Sequence, residues 1–488
     1  MLKLVRPLVA ALLLLAAAGN GALAAGVVLT RPPAPRPLTE QRVFAASRPA
    51  LVLVQSNYTV TVSRPQLTIP SVKVDLLAQQ VVDLYRAGKV AGTEAALEQA
   101  AINLLLGNPG AYFEPGSRRI GDEYRLVGSG SGFFVTEDGY LVTAAHVVTA
   151  GKDDIRANIL GLESDPRNQA ELRAEVKQTI ERDLGIEPSA AQLDKLLAFS
   201  LQFDDKYLAV DKVDVRYYLG SGKVEAGQHL TASGVRATVV ATEPEYPGRD
   251  VAVLKVDVGR APALALAATD PKPGQATYVL GYPRQGYLDE EVQMDATIPA
   301  TLTGGTVRNA MDMPDGWTAY GTDADMTHGD SGGPVLDQSG RVLGIVSFGI
   351  TDDKGRQLTG QGYFVPVSVI AQTLKKAQVG PAPGSLTATY YKALAAGDIH
   401  YYKPELAYLE QIQSRATFDA YVKDDLIAVE GSLLSGADQT PADLRPYLPA
   451  GVGAAFAALL LAVAAWVGLR LRTRQRTAGG ASPALRPA

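Results

Sequence analysis

Cysteine is absent from this sequence, and histidine occurs only four times among 488 residues. Disulfide bonds, thiolate metal sites and a cysteine nucleophile are therefore excluded. Neither charge is in strong excess, because 46 basic and 51 acidic residues leave a net charge of −5. Without a basic stripe, the sequence does not favour binding to nucleic acid. We predict neither a metal ion nor a cofactor for this chain.

Apolar runs suited to export or to a membrane lie at the two ends of the chain. Lys3 precedes an apolar stretch followed by small residues, which is typical of a cleaved export signal at 1–25, with an uncleaved anchor as the alternative. Residues 450–469 are 20 uncharged residues, enough to cross a bilayer as a helix. Four arginines follow at once in the segment 470–488, and such basic flanks stay cytoplasmic. We therefore predict a single-pass cell-membrane protein whose main part is extracytoplasmic.

Short apolar runs separated by glycine and proline dominate residues 45–376. Together with the hairpin signal of Asp138 and Gly139, they predict a barrel or sandwich of β-strands. Helical periodicity interrupts this region near 66–120 and near 160–205. We interpret these two stretches as helical insertions.

Two features mark the helices of the insertions. In the first insertion, Leu77, Val81 and Leu84 recur at helical spacing and predict one packed face. In the second, Ser189 and Gln192 have the pattern of a capping box, which predicts the start of a helix.

Linkers and a further helical segment flank the β region. A Pro-rich spacer occupies 26–44, and a linker with two prolines occupies 377–385. Aromatic and leucine positions at helical spacing then predict a small helical domain at 386–436. A juxtamembrane linker at 437–449 completes the predicted organisation.

The stretch "THGDSGGPVLD" surrounds Ser331 with very little bulk. Such a composition is typical of a tight surface turn. It also suits a place where backbone must approach a reacting group, because an oxyanion needs N–H donors that no β-carbon obstructs. Gly329 and Ser331 are the candidate donors of such an oxyanion hole.

A serine hydroxyl becomes a good nucleophile only beside a base, most often histidine. His146 ends the strand-like run "YLVTAAH", where a sheet can hold it, whereas His229, His328 and His400 are interpreted as ordinary surface or rim residues. Asp250 directly precedes the apolar run "VAVLKV", a position suited to an acid that fixes a histidine tautomer. Taken alone, His146 could be an ordinary core histidine, and Asp250 could be a solvated turn aspartate. Three residues with interlocking roles favour catalysis.

These motifs resemble those of the trypsin-like serine proteases, especially the bacterial Htr-type branch. "TAAHVV", "DVAVLKV" and "GDSGGPV" match the histidine, aspartate and serine motifs of that family, in the family's order, within about 45–376. The resemblance implies a double β-barrel with the active site in the cleft between the barrels. It also implies that His146 is the base, Asp250 the residue that orients it, and Ser331 the nucleophile.

The resemblance extends to substrate binding. The segment "SFG", formed by Ser347, Phe348 and Gly349, is similar to the strand that pairs with the substrate backbone in this family. Asp325 resembles the floor of trypsin's primary pocket, where a carboxylate favours arginine or lysine. Asp330 departs from the pattern, because the Htr branch commonly has asparagine there. No PDZ-like segment follows the protease region.

The predicted fold is mostly β: a trypsin-like double β-barrel with helical insertions, a small C-terminal helical domain and one transmembrane helix. The predicted function is that of a membrane-anchored serine endopeptidase in quality control or processing of envelope proteins. Polypeptides are the expected substrates, and a second copy of the chain is a further candidate partner. The alternative is a catalytically inactive protease fold that serves as a scaffold or peptide-binding module of the envelope.

Overall fold

Two closed β-barrels of six strands each organise the computed structural model of this chain. The structure describes residues 39–440 except for short gaps at 186, 223, 226–229, 232, 283–296, 328, 352–356 and 417–420. The two barrels confirm the main prediction of the fold class.

The strands of the first barrel come from widely separated parts of the sequence. They are β1 (Leu51–Thr68), β2 (Glu114–Phe134), β3 (Tyr140–Thr143), β4 (Ala209–Gly220), β6 (Val235–Thr242) and β7 (Ala252–Val256). Around the barrel their order is β1-β2-β3-β7-β6-β4. The strands β3 and β7 are therefore neighbours although more than a hundred residues lie between them.

The second barrel is more continuous in sequence. Its strands are β8 (Ala276–Gly281), β10 (Thr301–Asp312), β11 (Thr318–Thr322), β12 (Pro334–Leu336), β13 (Val342–Thr351) and β14 (Gln357–Pro366). Around this barrel the order is β10-β11-β14-β13-β12-β8. Two short strands, β5 (Val224–Glu225) and β9 (Thr297–Ile298), form a separate antiparallel pair.

Apolar side chains that point inward from the strands fill the barrels. One large cluster includes the fully buried Phe133, Leu141 and Leu254. The hairpin between β2 and β3 turns at Gly139, as the sequence predicted, with φ of 95°. A β-carbon at Gly139 would lie 2.5 Å from the carbonyl oxygen of Val256, so the turn needs glycine.

Helices accompany the strands along the described part of the chain. They are α1 (Glu40–Ser47), α2 (Ser71–Arg86), α3 (Glu94–Gly107), α4 (Pro109–Tyr112), α5 (Ala145–Val148), α6 (Lys152–Ser164), α7 (Pro166–Leu184), α8 (Ala190–Tyr207), α9 (Val367–Lys376), α10 (Gly384–Asp398), α11 (Tyr402–Gln413) and α12 (Tyr421–Leu434). The helices α2–α4, α7 and α8 lie in the stretches that the sequence marked as insertions. Helix α6 begins at Lys152, before the predicted start of the second insertion near residue 160.

Residues 57–127 and 150–216 form a compact unit of their own. Its helices pack around an apolar cluster that contains Leu106, Ile180 and Leu193. The predicted capping box is confirmed at the start of α8, where the side chain of Ser189 accepts from the backbone N–H of Gln192 and Gln192 bonds back. This box satisfies N–H groups that a helix start otherwise leaves open.

The edges of the first insertion differ from the prediction. Helix was expected over 66–120, but β1 continues to Thr68 and β2 already begins at Glu114. The β2 residues concerned are mostly exposed and polar, so they lack the apolar alternation that signals a strand. Their strand character comes from pairing, for example through the side chain of Arg119, which donates to the Ser63 hydroxyl at 2.9 Å.

The helices α10–α12 occupy the stretch in which a small helical domain was predicted. Leu386, Leu409 and Val422 belong to their common apolar cluster. None of the helices in the described residues is long and apolar enough to span a bilayer. The predicted export signal at 1–25 and the predicted transmembrane helix at 450–469 lie outside the described residues.

Candidate active site

The topology of the first barrel brings His146 and Asp250 together. The strands β3 and β7 pair antiparallel, with Thr143 opposite Ala252, so the end of β3 lies beside the start of β7. His146 follows β3 in the short helix α5, and Asp250 precedes β7 by two residues. Two side chains 104 positions apart in the sequence thus meet at one barrel end.

Both carboxylate oxygens of Asp250 bind His146. The ring Nδ1 of His146 lies 2.7 Å from Oδ2, and its backbone N–H donates to Oδ1 at 3.0 Å. The hydroxyl of Ser347 donates to Oδ2 as well. Because a carboxylate only accepts hydrogen bonds, this arrangement places the imidazole proton on Nδ1 and leaves Nε2 as the acceptor.

Asp250 is held in an uncommon backbone conformation. It is fully buried and has φ of 45°, in the region that residues with a side chain seldom adopt. Its own N–H donates to the carbonyl of Pro244 at 2.8 Å. Strain of this kind persists where the surroundings fix it, and it is common at functional sites.

The electrostatics of the pair favour a positive imidazole. Burial would lower the pKa of His146, but the charge and hydrogen bond of Asp250, with the charge of Glu245, outweigh burial and raise this pKa above its ordinary value of 6.5. An imidazole that accepts a proton during a reaction is stabilised by the same two carboxylates.

We expect hydrolytic activity to fall as the pH drops through the raised pKa of His146. Below that pKa the imidazole is protonated and cannot act as a base, so the acid limb of kcat/KM should lie above pH 6.5. The measurement is the pH profile of kcat/KM on a peptide substrate. A profile that stays flat between about pH 5 and pH 8 would contradict the assignment of the base.

The turn that carries Ser331 is bonded closely to β13. Gly332 donates its N–H to the carbonyl of Val346 at 2.9 Å, and Val346 donates to the carbonyl of Gly333 at 2.8 Å. Ser331 itself is 2% exposed. Since Val346 is the neighbour of Ser347, adjacent residues of β13 bind the Ser331 turn and the carboxylate of Asp250.

Glycine is required in this turn for steric reasons. Gly329 and Gly332 have φ of 110° and 87°, which other residues rarely adopt. A β-carbon at Gly332 would lie 2.1 Å from Oγ1 of Thr143 and 2.4 Å from the backbone nitrogen of Ala144. The glycines around Ser331 thus allow the backbone of this turn to lie close to the residues at the end of β3.

Asp330 is a buried acid directly before Ser331. Its Oδ2 accepts from the N–H and the hydroxyl of Thr327, at 2.7 and 3.0 Å. Its Oδ1 is buried without a hydrogen-bond partner in the described part of the chain. Burial raises the pKa of Asp330 to about 6, against the two bonds from Thr327, which lower it.

The residues expected to bind substrate have different surroundings. The ring of Phe348 stacks on Tyr363 at 5.1 Å and contacts Tyr246 at 4.1 Å between ring centres. Gly349 follows on β13 and is partly exposed. Asp325 has an exposed side chain, and its carbonyl accepts from the hydroxyl of Thr303 at 2.6 Å.

The remaining histidines were interpreted as surface or rim residues. His229 and His328 lie outside the described residues. His400 follows α10, far along the chain from the other site residues, and its Nδ1 lies 2.9 Å from the hydroxyl of Tyr402.

Two serine side chains of this site were not predictable from the sequence motifs. Ser347 was noted only for its backbone, yet its hydroxyl binds Asp250. Ser131, in the "GSGSG" run of β2, was not singled out, yet its hydroxyl donates to the carbonyl of Gly329 at 2.9 Å. The only available signal for Ser131 was a polar residue between glycines that open an apolar strand.

Two six-stranded barrels with a His-Asp pair between β3 and β7 and a glycine-rich serine turn before β12 define the class of the trypsin-like peptidases. In agreement, residues 130–345 match the family of trypsin-like peptidase domains. The chain contains such a domain, and the domain is homologous to serine proteases of the Htr/Deg type.

Among curated proteins, the chain is 30% identical to Serine protease Rv3671c of Mycobacterium tuberculosis over 155 residues, which are 28% of this chain and 36% of that protein. It is 29% identical to Protease Do-like 5, chloroplastic, of Arabidopsis thaliana over 134 residues, which are 26% of this chain and 39% of that protein. The matches thus span little more than a third of these relatives. A crystal structure of the active form of the Rv3671c protease has 18% identity and a TM-score of 0.33, and the match covers 70% of this chain and 88% of that one.

Proposed function

We propose that this chain is a serine endopeptidase that hydrolyses peptide bonds with Ser331, His146 and Asp250. The observation that carries the proposal is the buried carboxylate of Asp250, which binds both Nδ1 and the backbone N–H of His146. A carboxylate placed in this way sets the tautomer of the base and stabilises the cation that the base becomes.

The proposed reaction proceeds in two halves. Nε2 of His146 takes the proton of the Ser331 hydroxyl while Oγ attacks the scissile carbonyl carbon. The N–H groups of Gly329 and Ser331 stabilise the oxyanion of the tetrahedral intermediate. His146 then gives its proton to the leaving amine, which leaves an acyl-enzyme. A water molecule, deprotonated by His146, hydrolyses the ester and restores the hydroxyl.

We propose that the substrate is an extended polypeptide. Its backbone would pair with the segment Ser347 to Gly349, as an added strand. The ring of Phe348, flanked by Tyr246 and Tyr363, offers an apolar wall to a substrate side chain beside the scissile bond. The exposed carboxylate of Asp325 would favour arginine or lysine if it faces the primary subsite.

We also propose that the peptidase domain is exported and remains attached to the membrane, where it would act on envelope proteins. The support is the predicted export signal at 1–25, the apolar run at 450–469 and the arginine-rich segment at 470–488. Quality control and processing of envelope proteins both fit this location. An inactive protease-fold scaffold in the same location is the competing function.

Labelling with a fluorophosphonate probe tests the proposal against the scaffold. The full chain should react covalently with the probe and cleave an unfolded protein at internal peptide bonds, since both need an activated serine. Ser331→Ala should do neither while it keeps the thermal stability of the wild type. An unlabelled wild-type chain, or equal labelling of both proteins, would favour the scaffold.

A further inference from the structure

Ser131 forms four hydrogen bonds that join β2 to three other parts of the peptidase domain. Its hydroxyl donates to the carbonyl of Gly329 at 2.9 Å and accepts from the N–H of Tyr282 at 3.0 Å. Its backbone N–H donates to the carbonyl of Ser331 at 3.0 Å. Its carbonyl accepts from the hydroxyl of Thr143 at 2.7 Å. Ser131 is fully buried, so water does not compete for these bonds.

The hydroxyl of Ser131 has its direction set by its neighbours. A hydroxyl has one proton to donate and two lone pairs. The N–H of Tyr282 occupies a lone pair, and the carbonyl of Gly329 receives the proton. The donor direction toward Gly329 is therefore determined from both sides.

The partner of this hydroxyl is the carbonyl of a glycine in the Ser331 turn. Gly329 has no β-carbon, so sterics alone allow its peptide groups to rotate. Its carbonyl is held by Ser131, and the N–H of the same peptide group, on Asp330, donates to the carbonyl of Thr327 at 3.0 Å. One planar peptide group is thus fixed at both of its polar ends.

A second fixed peptide group joins Ser331 to Gly332. Its carbonyl accepts from the N–H of Ser131, and its nitrogen, on Gly332, donates to the carbonyl of Val346. The peptide group that carries the N–H of Ser331 lies between these two fixed groups. Ser131 therefore restrains the backbone on both sides of the Ser331 N–H and on one side of the Gly329 N–H, the two donors proposed for the oxyanion.

We propose that Ser131 is a positioning residue of the oxyanion hole: its hydroxyl holds the Gly329 carbonyl so that the N–H groups of Gly329 and Ser331 face the developing oxyanion. This inference rests on the proposed peptidase function. Without the hydroxyl, the chain path of the glycine turn stays the same, but its peptide groups can rotate. In some of these orientations a carbonyl faces the oxyanion in place of an N–H group.

The expected effect of Ser131→Ala is a lower kcat at unchanged KM. Removal of a whole oxyanion donor costs about 100-fold to 1000-fold in kcat, so loss of its positioning should cost about 10-fold to 100-fold. Substrate binding along β13 does not involve Ser131, so KM should stay close to that of the wild type.

Inhibitor pairs separate positioning from a general structural role. A peptide aldehyde forms a tetrahedral adduct that needs the oxyanion hole, whereas the matching peptide alcohol does not. In Ser131→Ala the inhibition constant of the aldehyde should rise by the factor that kcat falls, and that of the alcohol should not change. Ser131→Thr retains the hydroxyl and should recover most of kcat.

Ser129→Ala is the matched control. Ser129 is a buried residue of the same strand, and its hydroxyl makes no hydrogen bond with the residues that the structure describes. It should leave kcat and both inhibition constants unchanged.

The outcomes of this experiment are distinct from those of the labelling test. Equal losses for aldehyde and alcohol, a rise in KM alone, a result matching Ser129→Ala, or loss of the folded transition in Ser131→Ala would each overturn the positioning role. A wild-type chain that fails to label at Ser331 would overturn the peptidase function itself.

Discussion

Replacing Asp250 with asparagine is expected to lower kcat about 10,000-fold while the fold stays intact. An asparagine amide can donate toward Nδ1 of His146, where the carboxylate only accepts. The imidazole then carries its proton on Nε2, which can no longer take the proton of Ser331. In Asp250 the hydroxyl of Ser347 and the backbone N–H of His146 donate to different carboxylate oxygens. Asparagine has only one side-chain oxygen, so it cannot keep both of these bonds in the same way.

The pH profile gives a second readout of the same substitution. Burial lowers the pKa of His146, and Asp250 is the main group that raises it. The residual activity of Asp250→Asn should therefore lose its acid limb at a lower pH than the wild type does. Steady-state kinetics across pH, with a thermal melt at each pH, measure both effects.

Asp257→Asn provides the control for this experiment. Asp257 is exposed and directly follows β7, so its substitution makes the same chemical change on the same segment. It should leave kcat and the pH profile unaltered. Similar kinetics for Asp250→Asn and Asp257→Asn would rule out Asp250 as the orienting acid.

Replacing Gly332 with alanine is expected to lower the free energy of unfolding by about 2–6 kcal/mol. Part of this loss is backbone strain, since φ is 87°. The rest is overpacking, because a β-carbon would meet Thr143 and Ala144 at 2.1 and 2.4 Å, and the latter atom belongs to the backbone. The turn must move away from the first barrel, so activity should disappear with stability. Chemical denaturation measures the loss.

Gly316→Ala separates the two causes. Gly316 has φ of 71°, and nothing lies within 4 Å of the position of its β-carbon. Its substitution should cost only the strain, about 1–3 kcal/mol, and leave activity unchanged. If both variants lose the same stability, close approach at Gly332 does not matter and only φ does.

Helices and strands with a clear periodicity were predictable from local sequence. The face of Leu77 and Val81 in α2 and the capping box of Ser189 appear in the structure as expected. The first half of β2 was not predictable, because its residues are mostly exposed and its strand form depends on pairing with β1. A polar strand has no periodic apolar signal to reveal it.

The pairing of His146 with Asp250 followed from motifs, whereas the roles of Ser347 and Ser131 did not. Each motif places a reactive side chain next to a run of residues with a plain strand or turn pattern. By contrast, Ser347 binds an acid 97 positions away, and Ser131 binds a carbonyl 198 positions away. Nothing in the local pattern around either serine points to such a partner.

Residue type and local spacing were thus enough to predict a nucleophile, a base and an acid, because the chemistry of acyl transfer admits few side chains and the chain has only four histidines. Closure of the barrels decided how the imidazole of His146 and the carboxylate of Asp250 are oriented. Hydrogen bonds between strands distant in sequence, from Ser347 to Asp250 and from Ser131 to Gly329, exist only once the sheet order is set. Orientation is a property of those long-range contacts, and no short stretch of residues contains them.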